Sequence, residues 1–206
     1  MNSSMMAAFW GVSMLFVLIP GADWAYALSA GIHRGRVAAA VCGMLSGHMT
    51  ATLIVAAGVA AVLAGSPPAM TVLTITGAVY LIWLGQSTLR KPEPHPTERP
   101  APAGNLAAFA RGAGISLLNP KVLLLFLALL PQFVDPHAPW PIGVQMMTLG
   151  ALHVVNCAAV YFLVAFGAAA ALGNRPKAAR TMTTVSGAAV TVFGLMLVIE
   201  AVVPHL

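Results

Sequence analysis

Residues 16–28 read FVLIPGADWAYAL, and residues 115–133 read ISLLNPKVLLLFLALLPQF. Each is an apolar run interrupted by proline, and each carries one charge directly beyond the interruption: Asp23 after Pro20-Gly21, Lys121 after Asn119-Pro120. Proline removes an amide donor and crowds the carbonyl four residues back, while glycine lets the backbone leave helical angles. Both segments are therefore expected to be helices that break near their middles.

The surrounding composition says what solvent these helices meet. Of 206 residues, 59% are hydrophobic and only 7% charged, against roughly 25% charged in soluble domains. Several apolar stretches reach the roughly 20 residues that cross a hydrocarbon core about 30 Å thick. Helices also satisfy their own backbone groups, as lipid requires. The pattern predicts an all-α membrane protein with spans near 6–30, 38–63, 69–89, 110–133, 141–170 and 182–203. The N-terminal MNSSMMAAFW has no Lys or Arg ahead of its apolar run and no cleavage site leading to a soluble domain, so the first helix is expected to stay in the mature protein.

The basic residues fix an expected orientation. Arg34 and Arg36 fall in the first loop, Arg90, Lys91, Arg99 and Arg111 in or beside the third, and Arg175, Lys177 and Arg180 in the fifth. Every Lys and Arg except Lys121 then lies on one side, which the positive-inside rule makes cytoplasmic and which leaves both termini extracytoplasmic in a bacterial inner membrane. This topology accounts for the net charge of +5 without nucleic acid. Trp10, Trp83 and Trp140 fall at interface depth, whereas Trp24 lies deeper than a belt residue should.

The stretch KPEPHPTERPAPAGN, residues 91–105, is Pro-rich, charged and aperiodic, and reads as a cytoplasmic linker over 92–104 between halves 1–91 and 105–206. Pro20 corresponds to Pro120, Gly43 to Gly150, and Gly77-Ala78 to Gly187-Ala188, at offsets of 100, 107 and 110. Halves of three spans enter the membrane from opposite sides, so the repeat is expected to be inverted. Broken helices at matching positions of inverted repeats are a transporter architecture.

The polar residues within the spans are the candidate site. Asp23 would cost roughly 2.5–3.5 kcal/mol at the centre of a lipid-facing helix, so it is expected to meet a wet cavity, a cation such as Lys121, or both. A restarted helix end favours an anionic group. Together these suit a zwitterion, its ammonium near Asp23 and its carboxylate near Lys121 or a helix start. His48 with Thr52, and His153 with Asn156, share helix faces at similar depth. Asp23, His48 and His153 are candidates for proton coupling, with an interhelical hydrogen bond the plainer reading of either histidine. Gly43 and Gly47 form a GxxxG spacing that suits packing within the monomer and leaves a homodimer open. Glu200 reads as a structural residue at the outer end of the last span.

Cys42 and Cys157 lie at different depths and outside any CxxC, which favours isolated small side chains over a thiol-redox relay. A passive small-solute pore is the other alternative. No metal-ligand spacing, nucleophile elbow, phosphate loop or paired-carboxylate motif appears along the chain, so neither an enzyme, a cofactor nor a metal is expected.

Three segments carry a family resemblance: IPGADWAYALSAGIHRGRVAAAVCGMLSGH at 19–48, YLIWLGQSTLR at 80–90, and GAGISLLNPKVLLLFLALLPQFV at 112–134. Together they resemble the LysE/RhtB family of amino-acid exporters, six-helix inner-membrane proteins of about this length. The resemblance implies export of amino acids or their derivatives, by exchange with protons, and assigns substrate binding to Pro20, Gly21, Asp23, Asn119, Pro120 and Lys121. Ala22 departs from the family pattern, which usually has a second proline there.

Overall fold

The computed structural model describes residues 3–32, 36–65, 68–90, 104–171 and, beyond these, 181, 184–185, 188, 191–192 and 194–199. The described residues contain helices and no strand. In chain order they are α1 (Ser3–Val17), α2 (Ala22–Ile32), α3 (Val37–Gly65), α4 (Pro68–Arg90), α5 (Asn105–Leu117), α6 (Pro120–Leu129) with a 3-10 turn at Leu130–Phe133, and α7 (Ile142–Ala171). Residues 92–103 of the linker, Gly187 and Glu200 lie outside the described residues.

Among the described residues two helices, α3 and α7, are long and apolar enough by themselves to cross a membrane; counting α1 and α2 as one bent span makes three. The outer surfaces of α4 and α7 match that solvent. Val72, Val79, Trp83, Val155, Leu163 and Phe166 are all more than half exposed, and a bilayer places no penalty on such a surface.

The interruption between α1 and α2 follows from the missing amide of Pro20. In a continuous helix that amide would donate to the Phe16 carbonyl four residues back. Ile19 N–H donates to it instead, at 3.1 Å, tightening the last turn. Val17, the last residue of α1, has its carbonyl taken by the indole N–H of Trp24 at 2.7 Å. That bond explains why Trp24 sits too deep for an interface residue: its polar edge closes the helix break. The two helices meet at a bend of 68°.

The interruption between α5 and α6 has the same chemistry. Pro120 cannot donate to the Ser116 carbonyl, and Asn119 N–H takes that acceptor at 3.3 Å. Pro120 then opens α6, a position where its fixed φ suits the helix and no amide is needed. The amides of Val122 and Leu123 both donate to the Asn119 carbonyl, at 2.9 and 3.3 Å.

Tight backbone approach sets the packing between the two parts of the chain. A Cβ on Gly43 would lie 2.1 Å from the Phe109 carbonyl oxygen, and one on Gly47 would lie 2.6 Å from that of Ala113. The GxxxG face of α3 is therefore filled by α5 of the same chain. α7 packs on α1, α2 and α3, and α4 packs on α6 with Gly77 against Ala128. The largest cluster of buried side chains, including Phe9, Phe126, Leu129, Met146 and Leu149, fills the space these helices enclose.

Candidate functional site

Both helix breaks face one partly open cleft, whose empty space is about 400 Å³ with its mouth included. Phe16, Val17, Ile19, Trp24, Val122 and Leu125 give it an apolar wall. Its polar lining is Gly21, Asp23, His48, Asn119, His153 and Tyr161. Residues from α2, α3, α7 and the α5–α6 break thus converge, although they span 138 positions from 23 to 161.

Asp23 sits in the first turn of α2, where the helix dipole favours a negative charge. It is 7% exposed. The Ser116 hydroxyl donates to Oδ1 at 2.5 Å, and the Asn119 side-chain amide donates to Oδ2 at 3.3 Å. A carboxylate has about four acceptor positions on its two oxygens, so it keeps acceptor capacity for a cationic group in the cleft. Ser116 is fully buried and is a site residue the sequence reading missed; its three-residue spacing from Asn119 was the available signal.

Pro20 lies in the α1–α2 interruption beside Gly21, and Pro120 opens α6. Lys121 follows it in the backbone of α6, and its side chain lies outside the described residues. The start of α6 offers less to an anion than a helix end usually does, because Pro120 has no N–H and the Val122 and Leu123 amides are engaged by Asn119.

The histidines come together across α3 and α7. Their ring centroids lie 5.5 Å apart, and Phe126 packs edge-on against both. The carbonyl of Met44 lies 3.0 Å from His48 Nδ1. A carbonyl only accepts, so the neutral ring carries its hydrogen on Nδ1 and leaves the Nε2 lone pair free. His153 Nδ1 pairs with Ser13 Oγ at 2.8 Å, and Asn156 donates to the same oxygen at 3.0 Å. Thr52 turns back to the His48 carbonyl and packs under Gly150.

Cys42 and Cys157 are both free thiols, the first exposed and the second buried. Cys157 is not an isolated side chain: its Sγ lies 3.3 Å from His153 Nε2. Spacing along the chain gave no hint of a metal-ligand set, yet His48, His153 and Cys157 each bring one ligand atom to within 4.8 Å of the others.

A family model for the LysE type translocator matches residues 14–201, from within α1 through both breaks and past the last described residue. The chain belongs to the LysE type translocator family. Among relatives of this translocator, a leucine efflux protein of Salmonella choleraesuis (strain SC-B67) is 30% identical over 184 residues, 85% of each chain. An uncharacterized membrane protein of Pseudomonas aeruginosa is 32% identical over 192 residues, 88% of each chain. A cysteine/O-acetylserine efflux protein of Salmonella choleraesuis (strain SC-B67) is 30% identical over 152 residues, covering 71% of this chain and 76% of that one. No solved structure matches this LysE type translocator.

Proposed function

We propose that this protein is a secondary transporter that exports neutral amino acids or their derivatives from the cytoplasm across the bacterial inner membrane. The single observation that carries the reading is Asp23: a buried carboxylate at a helix break, with acceptor capacity left over, in a cleft whose remaining wall is largely apolar. An ammonium on Asp23 and an aliphatic side chain against Phe16, Ile19 and Leu125 suit that lining. The leucine and cysteine/O-acetylserine efflux relatives support the same substrate class. In this reading Lys121 meets the carboxylate, and Pro20, Gly21, Asn119 and Pro120 keep the backbone open around the substrate.

The architecture proposed with it is six spans in two inverted repeats, 1–91 and 105–206, joined by a cytoplasmic linker at 92–104, with both termini outside. Supporting it, the two breaks make the same hydrogen-bond exchange, Ile19 N–H to Phe16 O in one half and Asn119 N–H to Ser116 O in the other. Inward- and outward-facing states would interchange by movement of one repeat against the other. Exchange with protons is assigned to Asp23, with His48 and His153 on the opposite wall as further carriers. Because α5 fills the GxxxG face of α3, a homodimer, if formed, uses another surface.

Proteoliposomes loaded with labelled leucine, with and without an imposed pH gradient, test the proposal. Transport is expected to require the gradient and to be lost in Asp23→Asn. Leucine flux at the wild-type rate in that variant would overturn the site.

A further inference from the structure

We infer that His48, His153 and Cys157 form a binding site for a soft monovalent metal cation, of the Cu⁺ or Ag⁺ type, in the wall of the cleft between α3 and α7. All three side chains are at least 96% buried, and one ligand atom from each lies within 4.8 Å of the others. Ligands at metal–nitrogen and metal–sulfur distances of about 2.0–2.3 Å in a trigonal array are about 3.6–3.8 Å apart, so closure needs a shift of about 1 Å. His153 and Cys157 are four apart on α7 and share a face.

The surroundings are those of a ligand set already oriented. Metal-bound histidines characteristically donate their second ring N–H to a carbonyl or another polar group, which fixes the tautomer. His48 does so to Met44 O, and His153 Nδ1 is held by Ser13, itself held by Asn156. His153 Nε2 meanwhile faces Cys157 Sγ at 3.3 Å. The cleft reaches His48 and His153 and gives the ion a route in.

Donor type and charge select the cation. A thiolate with two imidazoles favours soft or borderline metals. Binding breaks the Cys157 S–H bond, forms a metal–sulfur bond and releases one proton into the cleft, with no change of oxidation state. A monovalent ion and one thiolate leave the ligand set neutral, whereas a divalent ion leaves it with a net positive charge in a buried place, which is costly. Asp23, the carboxylate lining the same cleft, is not one of the three grouped ligands; it carries the Ser116 and Asn119 hydrogen bonds. The site shares His48 and His153 with the proton path of the proposed function, but its readout is metal binding, so failure of one reading is distinguishable from failure of the other.

Purified Cys42→Ser protein in detergent retains Cys157 as its one thiol. Titrated anaerobically with Cu⁺ against a chromophoric chelator, it is expected to bind one equivalent, with X-ray absorption showing one sulfur and two nitrogen neighbours. Adding Cys157→Ser, or separately His48→Gln, should weaken binding by more than about 100-fold, beyond the 10–100-fold that follows loss of an outer partner. Ser13→Ala should fall within that smaller range. Thermal unfolding of each apoprotein shows that the variant is folded, and the two ligand variants guard against either one failing to fold. Unchanged binding in a folded ligand variant, a spectrum without sulfur, or tighter binding of Zn²⁺ than of Cu⁺ would overturn the inference.

Discussion

Ser116 donates its hydroxyl hydrogen to Oδ1 of Asp23 across 2.5 Å, joining two residues 93 positions apart. With the Asn119 bond to Oδ2 it links the two breaks directly, and Ser116 is also the residue whose carbonyl finds no amide on Pro120. One residue thus reports the backbone interruption of α5 and grips the carboxylate at the start of α2.

Ser116→Ala removes the shorter of the Ser116 and Asn119 hydrogen bonds on Asp23. A hydrogen bond to a charged group is worth about 1.5–3 kcal/mol. Leucine efflux from proteoliposomes should fall by about ten- to a hundredfold, and Ser116→Thr, which keeps a hydroxyl, should recover much of it.

Trp24→Phe keeps most of the buried ring but leaves the Val17 carbonyl without its indole donor. An orphaned buried acceptor costs about 1–3 kcal/mol, read as a lower unfolding temperature in detergent. Trp10→Phe, at a half-exposed residue, should change that temperature little.

Gly43→Ala and Gly58→Ala should act in opposite directions, though both lie in α3. The added methyl at Gly43 meets the Phe109 carbonyl oxygen at 2.1 Å, while at Gly58 it meets nothing within 4 Å. Overpacking at Gly43 costs about 1–3 kcal/mol, whereas Gly58→Ala gains about 0.5–1 kcal/mol of helix stability. Thermal unfolding of the two variants side by side checks the sign of each.

Pro120→Ala restores an amide four residues after Ser116, in competition with the Asn119 amide that now serves that carbonyl at 3.3 Å. The α5 helix then runs on into α6, and Asn119 turns away from Asp23. Transport should drop by about ten- to a hundredfold, the scale of a misplaced binding group, while helicity by circular dichroism stays the same.

The interruptions were legible because proline acts through local chemistry: a missing amide affects a carbonyl four residues away, whatever the rest of the fold does. Asp23 was legible for a related reason, as a charge stranded in an apolar run. Ser116 was not, because serine is cheap to place in a helix and its meaning comes from a partner 93 positions away. Trp24 looked anomalous until its N–H was seen on Val17 O. His153 and Asn156 were seen to share a face, but the thiol of Cys157 beside His153, and His48 opposite, depend on how α3 meets α7. Linear spacing within one helix carries no record of that meeting.

The two corners of the chain are secured differently. The first is braced internally, by an indole strapped across it from Trp24 to Val17, so α1 and α2 behave as a fixed elbow. At the second, the side chains of Ser116 and Asn119 are spent on Asp23, a residue of the other corner. A cargo held at the remaining acceptor positions of Asp23 would share one carboxylate with the second corner, so loading of the cleft and the set of the α5–α6 bend meet at a single side chain.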